Sequence, residues 1–214
     1  KPRRIGFGLE VATIEGLTVS AFWLHRNFLG GAERFRAEAE VSGITGETGG
    51  IDYRLGATFT RPATFGTDTE YFLSGEITRE DEPEFLIDKI AIETGFSRIL
   101  SDDLTVRAGV GVLRAREETE LETREYTLFT LPLDATLDRR DEPSNASNGY
   151  YIDVNTTPFI STDGTISGAR FYGDARGYLS VGEDEDLTFA GRFQVGSVVG
   201  AGLSEAPADF LFYS

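Results

Sequence analysis

The chain has 214 residues, with 36 Asp plus Glu against 20 Lys plus Arg, no Cys and a formal charge of -16 at pH 7. That balance argues against nucleic acid as a partner, which needs a net basic surface, and against a basic amphipathic helix lying on a membrane. The lack of Cys removes disulfides, thiolate nucleophiles and Cys-ligated zinc, and no run approaches the ~18 apolar residues of a membrane-spanning helix, a limit that leaves spanning strands open.

The chain opens with Lys1-Pro2-Arg3-Arg4 and no apolar signal-peptide core, as a mature protein or an excerpt of a longer chain would. Strand-like runs begin near 5–12 and 17–25. From 34 to 41 the alternation is strict. Phe35, Ala37, Ala39 and Val41 take one face and Arg34, Arg36, Glu38 and Glu40 the other, because successive side chains of a strand point to opposite sides. Ile51, Tyr53, Leu55, Ala57 and Phe59 alternate in the same way with Asp52, Arg54, Gly56, Thr58 and Thr60. Weaker runs follow at 71–78 and 86–98. Leu104, Val106, Ala108, Val110 and Val112 then alternate with Thr105, Arg107 and two glycines, and Phe129, Leu131, Leu133, Ala135 and Leu137 with Thr130, Pro132, Asp134 and Thr136. Runs near 150–157 and 171–181 precede a last one, in which Leu187, Phe189, Phe193 and Val195 alternate with Thr188, Arg192 and Gln194.

This makes eleven expected strands, each close to the ~9–11 residues that cross a bilayer at a tilt. Turn-forming clusters fall at 14–16, 27–31, 43–50, 61–67, 101–103, 141–149, 163–164 and 182–186, where Gly, Pro, Asn and Asp supply the reversals. No linker, composition shift or fixed repeat marks a second domain.

A soluble sandwich also alternates, so the polar face decides. Here it carries Arg, Asp, Glu, Gly and Thr of mixed sign, with Lys only at Lys1 and Lys89. Mixed Arg and carboxylate suit a wet barrel interior, where the guanidinium fork can pair across strands. The expected lumen charges are Arg34, Arg36, Glu38, Glu40, Arg54, Arg107, Asp134, Asp153, Arg176 and Arg192. Phe59 and Phe96 precede turns, Tyr150 follows one, and Tyr71 and Phe171 open strands, which suits interfacial girdles as well as a soluble core. The fold expected is all-β: an antiparallel transmembrane β-barrel, present in part.

Catalytic chemistry is scarce. A Ser-His-Asp triad would have to use His25, the one histidine, and no Gly-x-Ser-x-Gly elbow or paired-His spacing accompanies it; a turn or rim histidine is the plainer reading. The runs 80–82, 102–103 and 183–186 are acidic but lack EF-hand spacing, and read as solvated turns rather than ion sites. No metal or cofactor is expected. Gly6 and Gly8 either loosen the pairing of the first strand or accommodate sheet curvature.

Two segments go further. One is Leu24-His25-Arg26-Asn27-Phe28-Leu29-Gly30-Gly31-Ala32-Glu33 with the alternating strand after it. The other is Leu137-Asp138-Arg139-Arg140-Asp141-Glu142-Pro143, then Asn148-Gly149-Tyr150-Tyr151, ending at Thr157-Pro158-Phe159. Both resemble inner turns of the bacterial surface-antigen outer-membrane barrels, the superfamily of BamA and TamA, in the order of its TamA branch. The tail, with Phe210-Leu211-Phe212-Tyr213, resembles the start of that family's long sixth outer loop. The resemblance covers essentially the whole chain and implies a barrel of about sixteen strands, of which residues 1–214 are the N-terminal part ending in the sixth extracellular loop. An odd number of strands would leave two edges that a bilayer does not tolerate, so other residues close the barrel.

The resemblance also implies a function: assembly and insertion of outer-membrane proteins, autotransporters among them, with no bond made or broken. In that family the first strand pairs weakly with the last, and its edge can template substrate strands. Here the edge would be Ile5, Gly6, Phe7, Gly8, Leu9, Glu10 and Val11. The implied surroundings are the bacterial outer membrane with its lipopolysaccharide, outer-membrane substrate proteins and a periplasm-spanning inner-membrane partner. Two other classes stay open: a polypeptide-secretion or passive transport pore, separable by conductance, and a barrel fused to a lipase-type enzyme, separable by the sequence upstream of Lys1.

Overall fold

The computed structural model describes residues 2–14, 16–46, 49–83, 85–120, 122–182, 187–202 and 210. Twelve antiparallel strands follow one another: β1 (Arg3–Ala12), β2 (Gly16–Arg26), β3 (Arg34–Ile44), β4 (Asp52–Arg61), β5 (Thr69–Glu82), β6 (Phe85–Ile99), β7 (Leu104–Thr119), β8 (Thr123–Thr130), β9 (Leu133–Asp138), β10 (Gly149–Ser161), β11 (Ser167–Val181) and β12 (Leu187–Val199). They form one sheet in the order β1-β2-β3-β4-β5-β6-β7-β8-β10-β11-β12, with β9 pairing β10 and β7. Apart from β8 and β9, which share one position between β7 and β10, strands consecutive in sequence are neighbours in the sheet, as short hairpin connections dictate.

The alternation predicts eleven strands; among the described residues the structure has twelve, in eleven positions of the sheet, because β8 and β9 share one between β7 and β10. The run 129–137 is broken at Leu131-Pro132, where β8 ends and β9 begins. Proline has no N–H for the ladder. The break is bridged instead by the Leu131 N–H donating to the Pro158 carbonyl (2.9 Å) and the Gly109 N–H to the Pro132 carbonyl (2.9 Å). Strand β7 also runs seven residues beyond Val112, and β8 covers 123–128, where no strand is expected. Periodicity persists there with its phase reversed: Leu113 and Ala115 are buried, while Arg114 and Arg116 are exposed. Two smaller corrections follow the same boundaries. Residues 80–82 end strand β5 rather than forming a turn, and Phe171 lies four residues inside β11 rather than opening it. The acidic run 183–186 and, apart from Phe210, the tail from 203 lie outside the described residues.

The chain forms two compact units, Lys1–Phe96 with Val110–Phe129, and Ser97–Gly109 with Thr130–Ser214. In the first unit the register sets Arg36 opposite Thr58, Glu38 opposite Gly56 and Glu40 opposite Arg54, so the charges of β3 and β4 share one face. The other face carries Phe7, Leu9, Leu55, Leu73, Ile77, Ile90, Ile92, Val110 and Val112, all exposed. In the second unit Phe171, Leu179, Phe189, Phe193 and Val195 are exposed in the same manner. Leaving such side chains in water forfeits ~1.5–3 kcal/mol each, and contiguous apolar surface of this extent marks contact with another apolar phase. The buried apolar residues of the first unit, Phe72, Ile87, Leu113, Tyr126 and Leu128, belong to the opposite, polar face.

Candidate functional site

Among the described residues strand β1 pairs with β2 alone, through ten residue pairs from Arg3↔His25 to Ala12↔Gly16. Its apolar face is open: Phe7 is 83% and Leu9 73% exposed. On the polar face a glycine stands where a side chain would collide. A Cβ on Gly6 would overlap the Phe22 ring and one on Gly8 the Ser20 hydroxyl. The Phe22 ring takes the vacated space over the strand. It lies between two guanidiniums, with Arg36 at 4.7 Å and Arg4 at 5.8 Å from its centroid, a cation–π pair on each side. The hairpin is thus held by its backbone ladder and one ring. Among the described residues its polar face has no carboxylate–guanidinium contact from β1 to β2.

The ten charges expected in a lumen all lie on the polar face. Arg36 pairs with Glu38 at 2.7 Å and Arg54 with Glu76 at 3.7 Å, around a cavity of about 200 Å³ that Ser20, Phe22 and Glu40 also line. Arg34 stands opposite both Arg26 and Thr60. In the second unit Arg107 approaches Asp134 at 4.0 Å, and Asp134 also accepts a short bond from the Asn155 amide. Asp153 accepts from Thr136 Oγ1 at 2.6 Å. Asp174, buried, is clamped by Arg176 (2.7 Å) and Arg192 (2.6 Å), both through paired N–H donors. Among the described residues Arg54, Arg107, Asp134, Asp153 and Arg192 thus bond across strands, Arg36 with Glu38 and Arg176 with Asp174 pair within one strand, and Arg34 and Glu40 share the face without an ion pair.

The two turns that carry the family resemblance have visible causes. After β2, Asn27 and Ala32 adopt left-handed φ angles of 60° and 67°, flanking Gly30 at 99°. The Ala32 N–H donates to Asn27 Oδ1 at 2.8 Å, and the Gly31 N–H to Glu33 Oε2 at 2.8 Å. Donors from its own amide and those of Gly31 and Leu29 hold the Glu33 carboxyl below its ordinary range. Before β10, Asp141 accepts from the Ser147 hydroxyl and from the Ser147, Asn148 and Glu142 amides, which lowers its pKa to about 2. Gly149 has φ 100° and faces the Arg139 carbonyl so closely that no Cβ fits. Arg140 is held by Asp138 (2.7 Å) and Arg139 by Asp103 (3.0 Å), which gives Asp103 of the β6–β7 turn a structural role.

Two features of the apolar face depend on register. His25, expected as a turn or rim histidine, lies at the end of β2. It sits on the apolar face, stacked on Trp23 (5.9 Å) and edge-on to Phe28 (5.3 Å), which in turn stacks on Phe35. Phe59, Tyr71, Phe65 and Phe96 form a second cluster at the same end of these strands. Such a band belongs at a membrane–water interface. The other feature is a row of charges on the apolar face itself, at the opposite strand ends: Arg79–Asp88 at 3.1 Å and Arg114–Glu125 at 3.3 Å. The signal was present in the reading frame of β7, where Val110 and Val112 give way to Arg114 and Arg116 at the same parity. Among the described residues no group of three or more His, Asp or Glu could hold a metal ion.

A single antiparallel sheet, charged and ion-paired on one face and apolar with an aromatic band on the other, defines the transmembrane β-barrel class. Residues 27–214 match the family model of the Omp85 superfamily domain, and the chain belongs to that superfamily, whose BamA-type members are bacterial outer-membrane proteins. Among solved structures it is similar to BamA from Haemophilus ducreyi lacking POTRA domains 1–3, with a TM-score of 0.80 at 11% identity, over 99% of this chain and 44% of that one. The chain thus spans less than half the length of that structure, and carries part of a BamA-like barrel. None of the curated proteins matches it.

Proposed function

We propose that this chain is part of an outer-membrane assembly and insertion factor of the TamA type, acting on autotransporters and related barrel proteins through the edge of β1. The observation that carries the reading is the pair of glycines that remove side chains from the polar face of β1, in a chain of the Omp85 superfamily. An unpaired strand edge in a bilayer is costly, because no water satisfies its N–H and C=O groups. A seam between that edge and a closing strand can therefore exchange partners: a substrate strand adds to β1 by backbone hydrogen bonds as the seam opens. Ile5, Phe7, Leu9 and Val11 keep the lipid side apolar during the exchange, while Gly6, Gly8 and Glu10 face inward. The charges from Arg34 to Arg192 on the polar face line an aqueous interior.

The setting that supports this reading is the bacterial outer membrane, with substrate proteins arriving from the periplasm and an inner-membrane partner reaching across it. The work done is templating, so no catalytic residue is assigned. Photo-crosslinkers placed singly at positions 5–11 of the complete protein test it during assembly of an autotransporter in cells. Crosslinks to the substrate from these positions, and none from the middle of β6, are expected. Substrate assembled at normal rate with no crosslink from any of the seven positions would overturn the seam.

A further inference from the structure

On β5 to β8 the apolar face ends abruptly, and at one level. Leu73 and Ile77 on β5 give way to Arg79, Ile92 and Ile90 on β6 to Asp88, Val110 and Val112 on β7 to Arg114, and Phe129 on β8 to Glu125. The signs alternate from strand to strand. Arg79 Nη1 reaches both oxygens of Asp88 (3.1 and 3.2 Å), Arg114 Nη2 reaches Glu125 (3.3 Å), and one step further out Arg116 meets Glu118 (2.6 Å). Arg79, Asp88, Arg114, Arg116, Glu125 and Tyr53 line a cavity of about 450 Å³. The heads point outward, Arg114 being 67% and Arg116 54% exposed. With 14, 15 and 16 residues, β5, β6 and β7 exceed the ~9–11 needed to cross a bilayer, and the charged row occupies the excess.

Ion pairs open to water contribute little to stability, which is therefore a weak reason for so ordered a row. An arginine on the lipid side is costly at the midplane and nearly free at the interface, which places the row at headgroup level. At their other ends β5 and β6 finish in uncharged rings, Tyr71 and Phe96, beside Phe59 of the neighbouring β4. One leaflet thus meets aromatics and the other meets guanidiniums. Guanidinium forks match phosphate oxygens, and the interleaved carboxylates suit the divalent cation that accompanies a phosphorylated headgroup, since such cations bridge carboxylate and phosphate oxygens.

We infer that the outward row Arg79, Asp88, Arg114 and Glu125, with Arg116, binds the phosphorylated headgroup of an anionic membrane lipid together with its divalent counter-ion. The inference rests on the reading that the apolar face contacts lipid. The complete protein, folded in detergent, would be titrated with bisphosphorylated lipid A plus Mg²⁺, with the same lipid stripped of phosphate, and with inorganic phosphate. Native mass spectrometry would read occupancy. Binding of the bisphosphorylated lipid is expected to fall by about tenfold or more in Arg114→Gln/Arg116→Gln, the loss of charge-assisted hydrogen bonds, and to fall on chelation of Mg²⁺. Wild-type preference for the phosphorylated over the stripped lipid is the second readout, independent of any variant. Equal binding of both lipids by the wild type would overturn the site, as would undiminished binding by the folded double variant. Competition by inorganic phosphate at the lipid's own concentration would overturn its assignment to a lipid. A wild-type protein that fails to enter vesicles would overturn the underlying membrane reading; one that enters and shows no phosphate preference would overturn this proposal alone.

Discussion

Among the described residues the β1–β2 and β11–β12 hairpins stand at the two ends of the sheet order, but their polar faces are built differently. Between β1 and β2 stand Gly6, Gly8, Ser20 and a Phe22 ring, over ten residue pairs. Between β11 and β12, over thirteen pairs, Asp174 is clamped by Arg176 and Arg192, and Tyr172 accepts from Gln194. A backbone ladder contributes similarly per residue in both, so the difference lies in the side chains. One edge is tied by charge-assisted bonds across the strands, which are about twice as strong as neutral ones; the other is tied by a ring over glycine. The β1–β2 ladder is the more weakly tied of the two, and the β11–β12 ladder the more firmly tied.

The comparison can be broken most forcefully from the lipid side. Phe193→Arg on β12 should cost ~2–4 kcal/mol of folding stability in vesicles, read by denaturant titration of the complete protein. A cost within ~0.5 kcal/mol, that of an ordinary surface change, would mean that the apolar face does not meet hydrocarbon. Next in size is Gly6→Val. The new side chain must expel Phe22 from over the strand, and overpacking of this kind costs about 1–3 kcal/mol. Faster amide exchange confined to β1 and β2 would confirm it; unchanged exchange would show that the glycine is not needed. Asp174→Asn removes the carboxylate that two guanidiniums share, and exchange of β12 amides should accelerate by roughly tenfold, the scale of one charged hydrogen bond, with β1 unaffected. In the wild type, β1 amides should already exchange faster than those of β12.

The smallest effect is at the turns. The folded pKa of Asp141, about 2, and of Asp163, also about 2, lie below the ordinary carboxylate value. For Asp141 the main cause is the hydrogen bond from Ser147, and for Asp163 that from Ser161. A depressed carboxylate contributes fully above its unfolded pKa, so the turns 139–148 and 162–166 should keep their order at pH 5 and lose it as pH falls from about 4 through about 2. Asp141→Asn should remove that dependence at the first turn alone, as read by amide exchange against pH.

Much of this was legible in the sequence, because a strand's period of two writes both faces into the chain. Strict alternation from Arg34 to Val41 and from Ile51 to Thr60 gave the strands, their faces and the charges that the ladder then aligned. It was less legible from 113 to 128. There Leu113, Ala115, Tyr126 and Leu128 are buried on the polar side, while Arg114, Arg116 and Glu125 look outward, so the hydrophobic signal changes side in mid-strand. Pro132 hid a second boundary by sitting in a pattern that otherwise alternates. Pairings such as Asp174 with Arg192, eighteen residues apart, depend on register, which no single strand encodes. The aromatic neighbourhood of His25 likewise needed three strands and a turn to be placed side by side.

Spin labels placed one at a time along β7 of the complete barrel in liposomes, with accessibility to oxygen and to a water-soluble nickel chelate measured at each position, bear most directly on the claim that the two faces meet different solvents. The account predicts oxygen-rich, nickel-poor signals at 106, 108, 110 and 112, the reverse at 105 and 107, and a rise in nickel access at 114 and 116 as the strand leaves the hydrocarbon. Uniform accessibility along 105–112, or nickel access at 110 and 112 equal to that at 107, would contradict it.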